Sequence, residues 1–85
     1  MSYKVLMLPV AQKDHRSIPS PFYEQIERKI QALAENPRPP GCKKLNDPAG
    51  TWRVRVGVYR ILYDVDDSDF AVTVLRIRHR KEAYR

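Results

Sequence analysis

The chain is poor in the residues that staple, ligate or span. One cysteine, Cys42, stands among 85 residues. No intramolecular disulfide can form, which excludes a disulfide-stapled secreted scaffold and fits a reducing cytosol. The two histidines, His15 and His79, lie far from each other and from Cys42, a spacing that builds no metal site. Asp64, Asp66, Asp67 and Asp69 crowd one segment but lack the glycine and terminal glutamate of an EF-hand loop. They read as turn formers and edge charges. No apolar run approaches the ~20 residues that a membrane-spanning helix needs. The apolar start over residues 1–10 is short and is not followed by a small-residue cleavage site, so it does not read as a secretory signal. Internal repeats and low-complexity tracts are also missing, and neither a metal, a cofactor nor a membrane is expected as a partner.

What is present fits one small domain over residues 1–85 with a modest core. Hydrophobic residues make up 42% and charged residues 31%, and the net charge of +6 with a pI near 9.8 favours a polyanionic partner.

The chain alternates strand and helix signals. Residues 3–8 alternate weakly and predict a first strand stopped by Pro9, and residues 11–17 predict one or two helical turns. Ser20 reads as an N-cap with Pro21 at the first helical position. From there Phe22, Ile26, Ile30 and Leu33 recur at three- and four-residue spacing, predicting a helix over 21–35 that Asn36-Pro37 ends. Residues 37–41 form a stiff extended connector and 42–50 a loop. Trp52 to Tyr63 reads as a β-hairpin turning at Gly57-Val58, and residues 70–77 as a strong last strand rich in β-branched residues. The last eight residues form a basic tail or a helical turn. The expected fold is α+β, in the order β-α-α-β-β-β, with antiparallel C-terminal hairpins and helices packed on one sheet face.

The hairpin carries the most telling pattern. A two-residue turn sets Val56 opposite Tyr59, Arg55 opposite Arg60 and Arg53 opposite Leu62. One face then holds Trp52, Val54, Val56, Tyr59, Ile61 and Tyr63, a core face. The other places Arg55 directly across from Arg60 with Arg53 two residues away, and no acid lies between Arg53 and Arg60. Like charges opposed across a ladder destabilise a sheet. The face reads either as a solvated sheet surface or as a phosphate clamp, since guanidinium grips phosphate oxygens bidentately while staying charged, and the absence of an interspersed acid favours the clamp. Lys43 and Lys44 precede the hairpin and can extend the patch, and Arg78, His79 and Arg80 follow the last strand. His15, with no nearby partner in sequence, reads as surface or semi-buried.

The ordered set of Leu8-Pro9, Lys13-Asp14, the stretch from Ala32 to Gly41, Lys43-Lys44-Leu45, the stretch from Trp52 to Tyr63, and the ending from Val74 to Arg85 resembles the RelE/ParE superfamily of bacterial and archaeal toxins, on the RelE side. Together these stretches cover nearly the whole chain. The resemblance implies a RelE-like fold and a type II toxin that enters the ribosomal A site and cuts mRNA there without a metal. Its partners would be the ribosome, mRNA and a RelB-like antitoxin that folds on binding. In that chemistry the ribose 2′-OH attacks the adjacent phosphate, which calls for a base, an acid and cations around the phosphorane. Carried over by position, Arg55, Arg60, Arg78 and Tyr84 become the catalytic set. Tyr84 would take the 2′-OH proton, Arg55 and Arg60 would steady the phosphorane, and Arg78 or Arg80 would help the leaving oxygen. Lys43, Lys44, Arg53, His79 and Arg80 become RNA- and phosphate-binding residues, with His79 an alternative acid or base because imidazoles titrate near neutrality. The first helix is leaner in apolar residues than is usual in the family, and Arg78 stands where many relatives carry glycine. Two readings compete with the nuclease: a ParE-like inhibitor of DNA gyrase without nuclease chemistry, and an inactive basic RNA-binding relative.

Overall fold

The computed structural model describes residues 2–83. Its elements are β1 (Lys4–Met7), α1 (Pro9–Arg16), α2 (Phe22–Ala32), β2 (Lys43–Lys44), β3 (Trp52–Val56), β4 (Tyr59–Asp66), β5 (Ala71–His79) and α3 (Arg80–Ala83). The five strands form one sheet in the order β1-β5-β4-β3-β2. β1 runs parallel to β5, and every other pairing is antiparallel. The expected β-α-α-β-β-β order is therefore present, with a two-residue edge strand inserted where the sequence predicted only loop. No helix among the described residues is long and apolar enough to cross a membrane.

α1 and α2 cover one sheet face. Ala11 and His15 turn inward from α1, with Ile18 just after it, and Ile26 and Ile30 from α2, with Leu33 at its C-cap, at helical spacing. The apolar ones among them pack against Val54, Ile61, Tyr63, Val72, Val74 and Ile77 of the sheet. Full burial of a side chain such as Ile26 or Ile61 contributes about 1.5–3 kcal/mol. The opposite face turns Lys4, Leu6, Arg55 and Asp64 to solvent.

Local chemistry moves several predicted boundaries. Pro9 ends β1 but also opens α1, because at the first helical position its missing N–H costs nothing. α2 begins at Phe22 with Pro21 before it and no side-chain cap. Ser20 does not cap the helix; its hydroxyl donates to the Glu24 carboxylate. Helical hydrogen bonding loosens into turns after Ala32, three residues before the expected end. His15 lies deeper than the surface or semi-buried position expected, at 8% exposure. Its ring stacks on Tyr23 with centroids 3.9 Å apart, and Nε2 lies 3.0 Å from the Tyr23 carbonyl oxygen.

The hairpin follows the predicted register, with Trp52 facing Tyr63, Val54 facing Ile61 and Val56 facing Tyr59. Gly57 adopts φ 59°, the glycine-first geometry of a tight two-residue turn. At the far end of the sheet, Tyr3 and Arg38 converge on Asp67. The Tyr3 hydroxyl donates to Oδ1 at 2.7 Å, and the Arg38 guanidinium donates to both oxygens at 3.2 and 2.8 Å. Arg38 also lies 5.1 Å from the centre of the Trp52 ring. Tyr63 anchors the connector from beneath by donating to the Pro37 carbonyl at 2.7 Å, and burial pushes its phenol pKa well above the ordinary value.

Candidate active site

Three strands deliver one arginine each to the same row. Arg55 of β3 pairs with Arg60 of β4, and Arg60 pairs in turn with Arg78 of β5. Neighbouring strands lie about 4.8 Å apart, so the three backbones span roughly 10 Å. Arg55 is exposed, Arg78 half-buried, and Arg60, at the centre, only 7% exposed. A guanidinium stays charged wherever it sits, and a cation drawn away from water attracts an anion more strongly than one on the surface.

A second row lies two residues along the strands. Lys43 pairs with Arg53, Arg53 with Leu62, and Leu62 with Arg76. Lys43 and Arg53 thus flank the arginine row on its β2 side. Lys44, one residue on, belongs to the other face; it pairs with Trp52 and brings its ammonium to 5.9 Å from that ring's centre. The alternation of a strand leaves it no choice once Lys43 faces the arginines.

The C-terminal candidates divide. Arg78 joins the row. His79 goes to the helix side, where it pairs with Tyr59 and meets that ring edge-on at 5.4 Å. There it helps to line a 390 Å³ cavity with Asp14, Ser17, Ile18, Tyr59 and Ile77, and its Nδ1 accepts the Lys81 backbone N–H at 3.2 Å. Arg80 opens α3, exposed, and its backbone N–H donates to the Val58 carbonyl at 2.7 Å, tying α3 to the hairpin turn. Tyr84 lies outside the described residues.

The sequence reading did not single out one acid that the geometry makes prominent. Asp14 of α1 takes hydrogen bonds from Arg76 Nε at 2.8 Å, Arg76 Nη2 at 3.2 Å and the Ile77 backbone N–H at 3.1 Å. Burial works to raise its pKa, but these bonds and the charges of Arg76 and Arg78 outweigh burial and hold the carboxyl below its ordinary range. The signal available was the Lys13-Asp14 pair, visible in the sequence without its partner on β5.

The described residues thus form a small sheet with two helices on one face and a cationic row on the other. The chain belongs to the RelE/ParE family of type II toxin–antitoxin systems: the family model described as the ParE toxin of the parDE system matches residues 5–84. Among curated relatives, Toxin RelG of Mycobacterium tuberculosis is 34% identical over all of this chain and 99% of its own length. Toxin RelE of the same organism is 30% identical over 98% of this chain and 87% of its own. Among solved structures, the toxin–antitoxin complex RelBE2 of M. tuberculosis contains a chain that superposes with a TM-score of 0.83 at 30% identity, covering 94% of this chain and 100% of that one. The archaeal RelE–RelB complex of Pyrococcus horikoshii gives a TM-score of 0.83 at 26% identity, covering 94% of this chain and 97% of that one.

Proposed function

We propose that this toxin is a ribosome-dependent endoribonuclease that cuts mRNA in the A site. The observation that carries the reading is the Arg55–Arg60–Arg78 row with its buried centre. Three opposed guanidiniums weaken the sheet that carries them, so the row calls for concentrated negative charge at one point. A phosphorane, with more negative charge than the phosphodiester it came from, has a use for each of them.

In this reading the 2′-OH of one nucleotide attacks the phosphorus that joins it to the next. The O2′–P bond forms, the P–O5′ bond breaks, and the 5′ oxygen leaves with the bonding pair and takes up a proton. The products are a 2′,3′-cyclic phosphate and a free 5′-OH. Arg60 and Arg55 hold the non-bridging oxygens as charge develops there, and Arg78 or Arg80 steadies the departing oxygen. Tyr84, which follows α3 in the chain, takes the 2′-OH proton as its phenolate, the form that nearby arginine charge favours, and becomes the neutral phenol. Lys43 and Arg53 hold flanking backbone. His79 is turned from the row by its register and is left without a direct part. The ribosome supplies the substrate strand, which puts the activity in the cytoplasm, and a RelB-like antitoxin, like those in the complexes of the relatives, restrains it.

The test is 5′-end mapping of a defined mRNA incubated with purified, antitoxin-free protein, with and without programmed ribosomes. Cuts inside the A-site codon that appear only with ribosomes are expected. Intact mRNA in both tubes, together with DNA breaks in cells that express the toxin, would replace this reading with gyrase inhibition.

A further inference from the structure

The reaction makes no direct use of Asp14, yet this carboxylate sits at the point where β5 changes its alternation. Before that point Val72 and Val74 are buried on the helix side. Tyr63 pairs with Val74, whereas Leu62 pairs with Arg76, so Leu75 is an extra residue. After it Ile77 is the buried residue, and Arg78 pairs with Arg60 on the opposite face. Such a bulge re-aims every side chain that follows it. Were the alternation unbroken from Val74, Arg76 and Arg78 would point to the helix side, and Ile77 and His79 to the arginine face.

Two strands could pin the chain after the bulge, but only one of them reaches it. The pairing of β1 with β5 ends at Met7 and Val74. Beyond it α1 lies along β5, and Asp14, its side chain 17% exposed, accepts the Ile77 N–H and both Arg76 donors. The carboxylate thus binds the two residues that directly follow the extra one. It also ties down the guanidinium of Arg76, whose backbone pairs with Leu62 two residues before Arg78.

We propose that Asp14 is a positioning residue that locks the bulged register of β5, so that Arg78, and not His79, completes the arginine row. This rests on reading that row as the RNA-cleaving site.

The experiment compares Asp14→Ala, Asp14→Asn, Arg78→Ala and the Asp14→Ala/Arg78→Ala pair by cleavage on programmed ribosomes and by amide hydrogen exchange. In Asp14→Ala, kcat falls by on the order of 10- to 100-fold with KM little changed, the cost of a small misplacement at a reacting centre. Asp14→Asn, which keeps an oxygen for the Ile77 N–H, restores most of that loss. In the Arg78→Ala background, Asp14→Ala costs little more, because both changes remove the same contribution. Exchange quickens at Ile77, Arg78 and His79 in Asp14→Ala while Val54 and Ile61 stay protected. Independent, multiplying losses in the double variant, or unchanged exchange at residues 77–79, overturns the proposal. If Asp14→Ala does not fold, Arg76→Ala loosens the same clamp and is judged by the same two criteria. If the wild-type protein cuts no RNA, the nuclease reading fails by itself, and the exchange pattern still decides whether Asp14 holds the register.

Discussion

Arg55 stands directly opposite Arg60 across the β3–β4 ladder, an arrangement that weakens the sheet that carries it. Opposed like charges cost a few tenths to about 1 kcal/mol. Arg55 is the exposed member of the row, so its removal leaves no cavity. Arg55→Thr, which puts a β-branched residue on the strand, is expected to raise stability by up to about 1 kcal/mol and to lower the cleavage rate. Denaturant midpoints and single-turnover rates measured on one preparation check both halves. A loss of stability would mean that Arg55 has a structural partner that outweighs the repulsion.

Arg60 differs from Arg55 in being buried. The planar fork that can hold two phosphate oxygens at once cannot be replaced there by a point charge on a flexible stem. Arg60→Lys is expected to reduce single-turnover cleavage by on the order of 100-fold, the usual loss when one preorganised donor is removed. A wild-type rate would show that net charge alone suffices.

The sheet and its hairpin could be read from the sequence because period-two alternation and a Gly57 turn leave one register that buries Val54, Ile61 and Tyr63 together. The opposition of Arg55 and Arg60 follows from the same register. Local signals could not reveal β2, because two lysines carry no strand propensity and Lys43-Lys44 pairs only through Arg53 and Trp52. Nor could they reveal the bulge at Leu75, which exists through the combined demands of β4 and α1. For that reason His79 read as part of the cationic site, whereas the bulge sends it to the helix side. The partnership of Asp14 with Arg76, 62 residues apart, and that of Arg38 with Asp67, 29 apart, are likewise tertiary facts without a local trace.

Acid should act on this fold through its paired carboxylates. Asp14 and Asp67 both have pKa values lowered in the folded state, Asp14 by Arg76 and the Ile77 N–H against the opposing effect of burial, and Asp67 by Arg38 and Tyr3. A carboxylate of this kind stabilises fully above its unfolded pKa, near 4, and loses that contribution as pH falls through the lower folded value. Melting temperature is therefore expected to hold from neutrality to about pH 5 and to decline below about pH 4. Asp14→Asn should flatten the decline. Asp67→Asn should do so less, because Asp67 is well exposed and solvent screens its pairing.

Tyr63→Phe offers a stability change separated from the site. The substitution keeps the ring that fills the core but removes the donor to the Pro37 carbonyl, which sits in a buried residue. An acceptor left unsatisfied costs about 1–3 kcal/mol. Chemical denaturation should register that loss, while A-site cleavage at a temperature where the variant is folded should match the wild type, since Tyr63 faces away from the arginine row.

The identity of the base separates two residues near the end of the chain. An imidazole is the more usual proton acceptor at neutral pH, and on sequence alone His79 competes with Tyr84. The register removes much of that competition, because His79 lies against Tyr59 on the helix side while the arginines occupy the other. To reach the phosphate it would have to leave both that ring and the Lys81 N–H. A general base contributes typically 10²–10⁴-fold, so Tyr84→Phe is expected to lose about that much in single-turnover cleavage. His79→Asn, which retains a polar group for the Lys81 N–H, should lose less than about tenfold, well short of a removed base. The reverse pattern would give the proton transfer to His79 and would require β5 to shift its register by one residue when RNA binds.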